Sequence, residues 1–530
     1  MNVLVCDPIS SEGIAVLQQS EGLNVIILEK RPSESELISM VSDVNAIVVR
    51  SETKITRSVI AAASKLKVVG RAGVGVDNVD VAAATEAGVV VMNTPSGNTI
   101  ATAELTCAMM LSLARQVPDA TASMKAGQWD RKTFKGTELF GKTLGVVGMG
   151  RIGTEVTRRM QSFGMTVITY SPVLSAAMAK ELGVEMVTME DIYKRADYIT
   201  FHVPLTDETR GLINAETIKK MKRGVKLVNC ARGGIIVEED LVEALKSGQV
   251  GGAALDVYSQ EPFPAEGLLR KAPNLVMTPH LGASSKEAQV RVGEEIADCI
   301  VAYLRTGEIR NAVNLPDWNL EGRDYTALKP YLHLGEKLGS LASQLAPRSN
   351  EKLTIGFGGR AASVKHDPVI RSVLFGFMRG TSNGTNYINV YAKAKKRGLQ
   401  VDSNVSPETL DFNEWISVEV DSSEGRLVVG GTFFGASMAP RIVQVDEYRV
   451  EVIPQGVILM NKNLDKPGVV AKVSALLSRY SVNIANMTLD RSDAGGQAMM
   501  VLNLDGVPPT EVLEELRREP EIFDARVIVL

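Results

Sequence analysis

The chain has few of the features from which disulfide frameworks, metal centres and membrane spans are built. Its 530 residues include four cysteines, and these are scattered without any CxxC spacing. This pattern excludes a disulfide framework or a zinc site and predicts reduced thiols in a cytosolic compartment. No apolar run reaches the roughly 18 residues that a membrane-spanning helix needs. The first residues lack a basic region and resemble a first strand, so we expect no signal sequence.

An excess of one charge is lacking as well. The formal net charge is −4, with 45% hydrophobic and 23% charged residues, as in an ordinary soluble globular protein. Without a basic excess, neither nucleic acid nor an anionic membrane is expected as a partner. The length is too great for one hydrophobic core, and it predicts roughly three or four domains.

A glycine-rich turn is the most informative segment of the chain. Residues 143–147 predict a buried strand, and Gly148, Gly150 and Gly153 follow at GxGxxG spacing before a helix over 154–163 and a strand over 166–170. In a dinucleotide-binding fold the first glycine makes the tight turn, the second lets the backbone approach the pyrophosphate, and the third lets helix and strand pack closely. The order strand, turn, helix and strand therefore predicts a dinucleotide cofactor.

Apolar strands alternate with helical patterns over the first 285 residues, which predicts two parallel, doubly wound α/β sheets. A turn-rich hinge at 93–98 precedes a helix over 99–115, and a helix over 286–305 is expected to return to the first sheet. The predicted domains are therefore 1–95 with 286–315, and 96–285, with the substrate cleft between them. The predicted strands cover residues 3–6, 25–28, 46–49, 68–69, 89–92, 144–147, 166–170, 198–202, 226–229, 252–256 and 274–277.

The composition changes after Pro316. Residues 317–453 are rich in glycine and carry weaker periodicity, whereas 455–530 predict a compact α+β module. In that module we expect strands at 457–460, 484–490, 497–504 and 525–530, and helices at 469–480 and 509–518.

Three side chains that could perform chemistry follow predicted strands. His280, one of only four histidines, lies just past the strand at 274–277, and Arg232 and Glu261 follow two others. An imidazole could exchange a proton with a hydroxyl, a guanidinium could bind a carboxylate or carbonyl, and a carboxylate could fix the imidazole tautomer. Taken singly, each has an ordinary structural explanation: a capping or core histidine, a surface salt bridge and a solvated loop glutamate.

Further cations suggest a substrate with more than one anionic group. Arg50 and Arg71 end strands on the opposite wall of the cleft, and Lys54 and Arg131 add to them. A phosphorylated hydroxy acid would fit this set.

Taken as strings, these residues resemble the D-isomer-specific 2-hydroxyacid dehydrogenases, and among them the long members with extra C-terminal domains. The resemblance covers essentially the whole chain. Five separated strings carry it, at residues 70–80 (GRAGVGVDNVD), 148–153 (GMGRIG), 229–234 (NCARGG), 254–256 with 261–262 (ALD and EP) and 279–284 (PHLGAS).

The resemblance implies roles for individual residues. His280 would be the acid/base, Glu261 its partner and Arg232 the substrate orienter, with Asp256 holding the nicotinamide carboxamide. The implied cofactor contacts are Gly148, Gly150, Arg151, Ile152, Gly153, Ser171, Val203, Cys230, Ala231, Arg232, Asp256, His280, Gly282 and Ala283. The implied substrate contacts are Arg50, Ser51, Arg71, Gly73, Val74, Gly75, Asn98 and Arg131, the last across a dimer interface.

One position departs from the pattern of NAD-using members. They carry an acidic residue after the second strand to bind the ribose hydroxyls, and this chain has Ser171 there. Serine neither bridges the diol nor repels a 2′-phosphate, yet no arginine follows at once to bind that phosphate. NAD is the predicted cofactor, and NADP remains open.

The C-terminal part resembles the regulatory half of the long members. Residues 455–530 resemble a ferredoxin-like ACT module, in which Asn463, Asp465 and Asn483 would bind L-serine. Residues 317–453 resemble an α+β intervening domain, which would act as a spacer and oligomer contact or bind an anion. A homotetramer is expected.

The implied reaction is NAD-dependent oxidation of 3-phospho-D-glycerate at C2, the first step of serine synthesis, with feedback by L-serine. One alternative is a dehydrogenase for hydroxypyruvate, glycerate or 2-oxoglutarate. Another is a dinucleotide-sensing protein of the corepressor type without catalysis.

Overall fold

The structure is a computed structural model that describes residues 1–318, 323–347, 350–406 and 412–530. It contains four β-sheets in chain order, each with its own packed helices. In the described part of the chain, no helix combines the length and apolar character needed to cross a membrane.

The first sheet is parallel and has the strand order β2-β1-β3-β4-β5. Its central strands are short apolar runs such as AIVV, buried along their whole length because helices cover both faces. The elements are β1 (Asn2–Val5), α1 (Ser11–Gln19), β2 (Asn24–Ile27), α2 (Glu34–Met40), β3 (Ala46–Val49), α3 (Arg57–Ala62), β4 (Val68–Arg71), α4 (Val81–Ala87) and β5 (Val90–Met92).

The second sheet is also parallel, with the order β12-β11-β10-β9-β6-β7-β8. The order reverses at β6, which places the turn after β6 at the topological switch point where α/β sheets bind ligands. The elements that lead to it and form it are α5 (Thr99–Arg115), α6 (Val117–Lys125), β6 (Thr143–Val147), α7 (Arg151–Ser162), β7 (Thr166–Tyr170), α8 (Ala176–Leu182), β8 (Glu185–Met186), α9 (Met189–Arg195), β9 (Tyr198–Phe201), α10 (Ala215–Lys219), β10 (Val225–Asn229), α11 (Glu238–Ser247), β11 (Val250–Leu255) and β12 (Leu275–Met277).

A long helix, α12 (Lys286–Thr306), packs back on the first sheet. It crosses α1 at a pair of glycines, where a Cβ added to Gly13 would lie 2.5 Å from the carbonyl oxygen of Gly293. Ile296 and Ile300 of the same helix share a core with residues of β1, β3 and β4. The chain therefore crosses twice between the first two sheets, once before α5 and once before α12.

The third sheet is mixed, with the order β14-β13-β15-β16-β17-β18, and α13 and α14 pack together against it. Its elements are α13 (Arg323–Leu345), β13 (Asn350–Gly359), α14 (His366–Arg379), α15 (Val390–Lys396), β14 (Gln400–Ser406), β15 (Glu414–Ser422), β16 (Gly425–Phe434), β17 (Ala439–Val445) and β18 (Tyr448–Val452).

The fourth sheet is antiparallel, with the order β20-β21-β19-β22. One face packs on its own two helices. The other face shares a core with the third sheet through residues such as Ile458, Met460 and Val501. Its elements are β19 (Val457–Leu464), α16 (Val469–Arg479), β20 (Ile484–Arg491), β21 (Gln497–Leu504), α17 (Thr510–Arg518) and β22 (Ile522–Val529).

The predicted fold class is confirmed. The predictions did not name β8 or the individual strands of the third sheet, and the predicted elements differ from the observed ones mainly at their ends. The helix after the glycine turn begins at Arg151, not at residue 154, because Gly150 is its N-cap. Strand β19 continues to Leu464, four residues beyond the predicted end. The apolar pattern stops before Asn461 and Asn463, but these polar residues are buried within the strand. Strand β22 begins at Ile522, earlier than the predicted residue 525.

Candidate active site

The carboxyl ends of the strands in the first two sheets carry the predicted chemical groups. On the first sheet, Arg50 follows β3 and Arg71 ends β4. On the second, Arg232, Glu261 and His280 lie in the loops after β10, β11 and β12, which are neighbours in the sheet. Parallel strands bring their carboxyl ends to one edge, so three loops that are distant in sequence meet at that edge.

His280 and Glu261 form a direct pair. The Nδ1 atom of His280 lies 2.6 Å from Oε2 of Glu261, and the backbone N–H of Tyr258 donates to the other carboxylate oxygen at 3.0 Å. Burial raises the pKa of Glu261, but the hydrogen bond and charge of His280, the Tyr258 N–H and the charge of Arg232 together hold it below its ordinary value. The carboxylate thus stays ionised at neutral pH and accepts a hydrogen bond from Nδ1–H, which leaves Nε2 as the basic nitrogen.

The loop that carries His280 is fixed by the buried carboxylate of Asp256. This carboxylate accepts from the Thr278 hydroxyl at 2.6 Å, from the Leu281 N–H at 2.7 Å and from the Gly282 N–H at 2.9 Å. His280 itself has a φ of +56°, a left-handed conformation that is strained for a side-chain-bearing residue. The Asp256 contacts hold the backbone in this conformation and so set the direction of the imidazole.

Arg232 projects from the second sheet against the first. Asn229 shapes its loop, since its side chain accepts from Ala231 N–H and donates to the Arg232 carbonyl. The guanidinium Nε then donates to Asp77 Oδ2 at 3.1 Å, on the loop that follows β4. Because the charge of Arg232 also lowers the pKa of Glu261, the arginine, glutamate and histidine share one neighbourhood.

Three guanidinium groups converge on the cleft. Burial and the positive charges of Arg232 and Arg50 together lower the pKa of Arg71 to about 10, against the opposing charge of Asp77. The Nε atom of Arg71 is buried without a hydrogen-bond partner. Cations that destabilise one another and leave a donor unpaired are suited to a multiply charged anion.

The glycine turn fits a dinucleotide pyrophosphate. A Cβ on Gly148, whose φ is +95°, would lie 2.6 Å from the His202 carbonyl oxygen, and one on Gly153 would lie 2.2 Å from the Gly148 carbonyl oxygen. A Cβ on Gly150 would meet nothing within 4 Å, so open space adjoins the turn there. Helix α7 has no side-chain cap, which leaves its first N–H groups available to phosphate oxygens.

Gly153→Ala is therefore expected to weaken NADH binding by at least about tenfold, because the added methyl forces helix and strand apart. Gly380→Ala is the matched control: that glycine lies outside the turn, has a right-handed backbone conformation, and a Cβ there would meet nothing within 4 Å. Titration of NADH fluorescence measures both dissociation constants. Equal affinities in the two variants would contradict the assignment of this turn.

Of the remaining predicted cofactor residues, Asp256, Ser171 and Cys230 are buried. Asp256 is fully buried and its carboxylate already binds three groups of the His280 loop, so it acts first as a support for that loop. Ser171 is buried as well, at 5% exposure. Cys230 is buried against the Met109 sulfur, and burial raises its pKa to about 12, so it is a neutral thiol. Val203 touches the position that a Gly148 Cβ would occupy, and Ala231, Gly282 and Ala283 lie on the loops that carry Arg232 and His280.

The predicted substrate residues fall into two groups. The loop after β4, with Gly73, Val74 and Gly75, faces Arg232. The backbone N–H of Arg50, the neighbour of Ser51 in the chain, donates to the buried Asp7 carboxylate. Asn98 has a buried, unpartnered Oδ1 at the start of α5. Arg131 lies on an exposed segment between α6 and β6.

The three predicted effector residues do not meet within one copy of the fourth sheet. Asn463 pairs with Ala498 in the sheet register, and Asp465 accepts from Arg491 and from Gly495 N–H at the same end. Asn483 binds Asp505 at the other end, beside Leu504. Strand geometry separates the two ends by about 20 Å, so a single module does not bring all three side chains together.

Sequence reasoning missed the acidic residues that support the site. Asp7 and Asp77 are two such residues: Asp77 lies within the string at residues 70–80 and Asp7 lies in none of the five strings, and no role was predicted for either. The fully buried Thr94 hydroxyl, which has no partner, was missed too. A carboxylate directly after a strand, as at Asp7, is the one signal that could have indicated a supporting role.

The chain is similar to known proteins along its whole length. Residues 107–282 match the family model described as D-isomer specific 2-hydroxyacid dehydrogenase, NAD binding domain. Residues 327–446 match the D-3-phosphoglycerate dehydrogenase intervening domain, and residues 457–521 match the ACT domain.

Two curated relatives and two solved structures illustrate this similarity. The D-3-phosphoglycerate dehydrogenase of Methanocaldococcus jannaschii is 42% identical, with 100% of both chains covered. That of Bacillus subtilis is 39% identical, with 100% of this chain and 99% of the relative covered. A protein from Thermus thermophilus superimposes with a TM-score of 0.55 at 37% identity, over 59% of this chain and 100% of its own. An NAD-dependent formate dehydrogenase from Staphylococcus aureus, in complex with NAD, gives 0.52 at 30% identity, over 57% of this chain and 96% of its own.

Proposed function

Because the chain belongs to the D-3-phosphoglycerate dehydrogenase family of NAD-binding oxidoreductases, we propose that it oxidises 3-phospho-D-glycerate at C2 to 3-phosphohydroxypyruvate. The observation that carries the proposal is the His280–Glu261 pair beside Arg232. This group lies at the carboxyl edge of the second sheet, whose glycine turn fits a dinucleotide. Arg50 and Arg71 on the opposite wall supply charge for a phosphate in addition to a carboxylate.

The residues of this site divide the chemistry between them. His280 Nε2 takes the proton of the C2 hydroxyl, and the ionised Glu261 stabilises the imidazolium that forms. Arg232 donates to the C2 oxygen and to the carboxylate, which holds the C2–H bond in line and stabilises charge on that oxygen. The turn at residues 148–153 would hold NAD, whose nicotinamide ring would supply the hydride acceptor. The position of these groups in the cleft between the two sheets limits the access of water to them.

The substrate is tested by comparing phosphohydroxypyruvate with hydroxypyruvate in the reductive direction. We expect kcat/KM to be at least about a hundredfold higher for the phosphorylated acid, because Arg50 and Arg71 bind only that substrate's phosphate. Equal values would identify an enzyme for unphosphorylated 2-keto acids, and 2-oxoglutarate belongs in the same panel. Intact NADH binding without any turnover would indicate a dinucleotide-sensing protein instead.

We propose that the enzyme uses NAD and that the same site also accepts NADP. Ser171 gives the ribose neither the acceptor pair that selects NAD nor a negative charge that rejects NADP. The wall beside the turn carries Arg151 and Arg158, so cationic groups come from α7 and not from the segment after β7. Parallel titrations with NADH and NADPH measure the preference.

The regulatory proposal is that L-serine binds between two copies of the fourth sheet. Since Asn463 and Asp465 lie at one end of a module and Asn483 at the other, a site that contains all three needs Asn483 from a second copy. A two-fold axis between modules produces two such sites. The same pairing would provide one of the interfaces of the proposed homotetramer.

Serine is expected to slow the wild-type enzyme, and both Asp465→Ala and Asn483→Ala are expected to abolish this inhibition. Refolded or co-expressed mixtures of the two variants should regain part of it, because a hybrid pair rebuilds one intact site from two different copies. Asn404→Ala, at an exposed position on β14, is the control. A mixture that stays fully insensitive would contradict the shared site.

Three further parts of the proposal concern the whole chain. The domains are taken as 1–95 with 286–315, 96–285, 317–453 and 455–530. The intervening domain acts as a spacer, consistent with the core that its sheet shares with the ACT sheet. The location is the cytoplasm, consistent with four free, buried cysteines.

A further inference from the structure

An ion pair crosses the cleft between the first two sheets. Asp77 lies in the loop after β4 and Arg232 in the loop after β10, and the two are 155 positions apart in sequence. The Arg232 Nε atom donates to Asp77 Oδ2 at 3.1 Å. The Asp77 side chain is 72% exposed, whereas that of Arg232 is only 28% exposed. The carboxylate therefore reaches the guanidinium from the solvent side of the cleft, and the pair links the two walls.

The guanidinium of Arg232 is held on three sides. Besides the bond to Asp77, its Nη1 donates to the Ala231 carbonyl oxygen at 2.7 Å. Its Nη2 fills the space where Gly75 lacks a side chain, since a Cβ there would lie 1.9 Å from Nη2 and 2.7 Å from Asp77 Oδ2. These contacts fix the guanidinium plane and leave Nη2 without a hydrogen-bond acceptor among the described residues. A guanidinium bound at Nε can still present its terminal nitrogens to a carboxylate.

The charge of Asp77 also bears on its neighbours. Arg232 and Arg50 lower the pKa of Arg71, and Asp77 opposes them. Without this carboxylate, the loop that carries Arg71 would face the cation of Arg232 with less compensation. Because the side chain of Asp77 is 72% exposed, solvent screens this charge effect, and the hydrogen bond to Nε is the contact that holds Arg232 in place.

We propose that Asp77 is a positioning residue for Arg232: it holds the guanidinium across the cleft in the orientation that receives the carboxylate and C2 oxygen of the substrate. The inference rests on the proposed function and extends it to a residue that touches neither substrate nor cofactor. The role depends on the hydrogen bond that Asp77 accepts from Nε, which asparagine can reproduce and alanine cannot.

The test compares Asp77→Ala, Asp77→Asn and Glu21→Ala, the last an exposed carboxylate in the turn before β2 on the same sheet. Asp77→Ala should lower kcat/KM for phosphohydroxypyruvate by about 10- to 100-fold, mostly in kcat, because a misplaced guanidinium fails most where charge builds on the C2 oxygen. Asp77→Asn should recover to within about threefold of wild type, since its amide oxygen still accepts from Nε. NADH affinity should be unchanged in all three variants.

A second readout does not depend on turnover. Oxalate binding to the enzyme–NADH complex, followed by NADH fluorescence, should weaken in Asp77→Ala and remain near wild type in Asp77→Asn. A wild-type enzyme that binds oxalate but does not reduce phosphohydroxypyruvate would overturn the proposed function and leave this comparison intact. The positioning role is overturned if Asp77→Ala keeps wild-type kcat/KM and oxalate affinity, if it binds oxalate more tightly, or if Asp77→Asn is as impaired as Asp77→Ala.

Discussion

His280→Ala is expected to lower kcat by about a hundredfold to ten-thousandfold while the dissociation constant of NADH stays within about twofold of wild type. The imidazole is the group of the site that can both take and return the hydroxyl proton, and its Nδ1 is already engaged by Glu261 at 2.6 Å. Alanine removes the base but leaves the glycine turn unchanged, so chemistry fails and cofactor binding persists. Stopped-flow or steady-state turnover and NADH fluorescence titration measure the two quantities.

The matched control is His333→Ala, an exposed histidine on α13, which should keep wild-type turnover. Glu261→Gln should fall between the two, because glutamine keeps the steric support and loses the charge that stabilises imidazolium. Near-normal turnover in His280→Ala would refute the role of His280. Loss of NADH binding in the same variant would mean that His280 and its loop are needed to bind the cofactor, so the loss of turnover could not be assigned to proton transfer.

Arg232→Ala is expected to lower kcat/KM for phosphohydroxypyruvate by about a hundredfold to a thousandfold, with a raised KM and a reduced kcat. The guanidinium binds the substrate carboxylate in the ground state and the C2 oxygen more strongly as charge develops, so both constants should change. Arg232→Lys should recover little, because an ammonium lacks the Nε that binds Asp77 and the planar pair of terminal donors.

The control for this arginine is Arg223→Ala. Arg223 is an exposed residue just before β10, and its guanidinium donates to the Ser247 carbonyl. It should leave kcat/KM unchanged. A lysine variant with wild-type kcat would show that only positive charge is needed at this position, and it would contradict orientation by the guanidinium. An alanine variant with unchanged KM would separate Arg232 from substrate binding.

The sequence alone was sufficient to predict those features that depend on the local pattern of residues. The strand at Thr166–Tyr170 and the helix at Thr99–Arg115 have the predicted bounds, because hydrophobic periodicity and turn residues specify such elements locally. His280, Arg232 and Glu261 could be grouped because each follows a strand of one parallel sheet, and the carboxyl ends of such strands share an edge.

The sequence was insufficient where distant residues share a contact. Nothing in the local pattern pairs Asp77 with Arg232 across 155 positions, or assigns the Asp256 carboxylate to the Leu281 and Gly282 amides. The effector residues illustrate a related difficulty. A motif indicates which side chains bind a ligand, but strand register decides whether they can meet within one copy, and Asn483 and Asn463 lie at opposite ends of the sheet.

Transfer of deuterium from 3-phospho-D-[2-²H]glycerate tests the account most directly, since it asks whether the C2 hydrogen passes straight to a nicotinamide ring beside His280 and Arg232. The enzyme is incubated with this substrate and NAD, and the NADH formed is examined by mass spectrometry and NMR. We expect one deuterium per NADH at C4 of the ring, with none lost to water. NADH without deuterium, or no NADH at all, would contradict hydride transfer in this cleft.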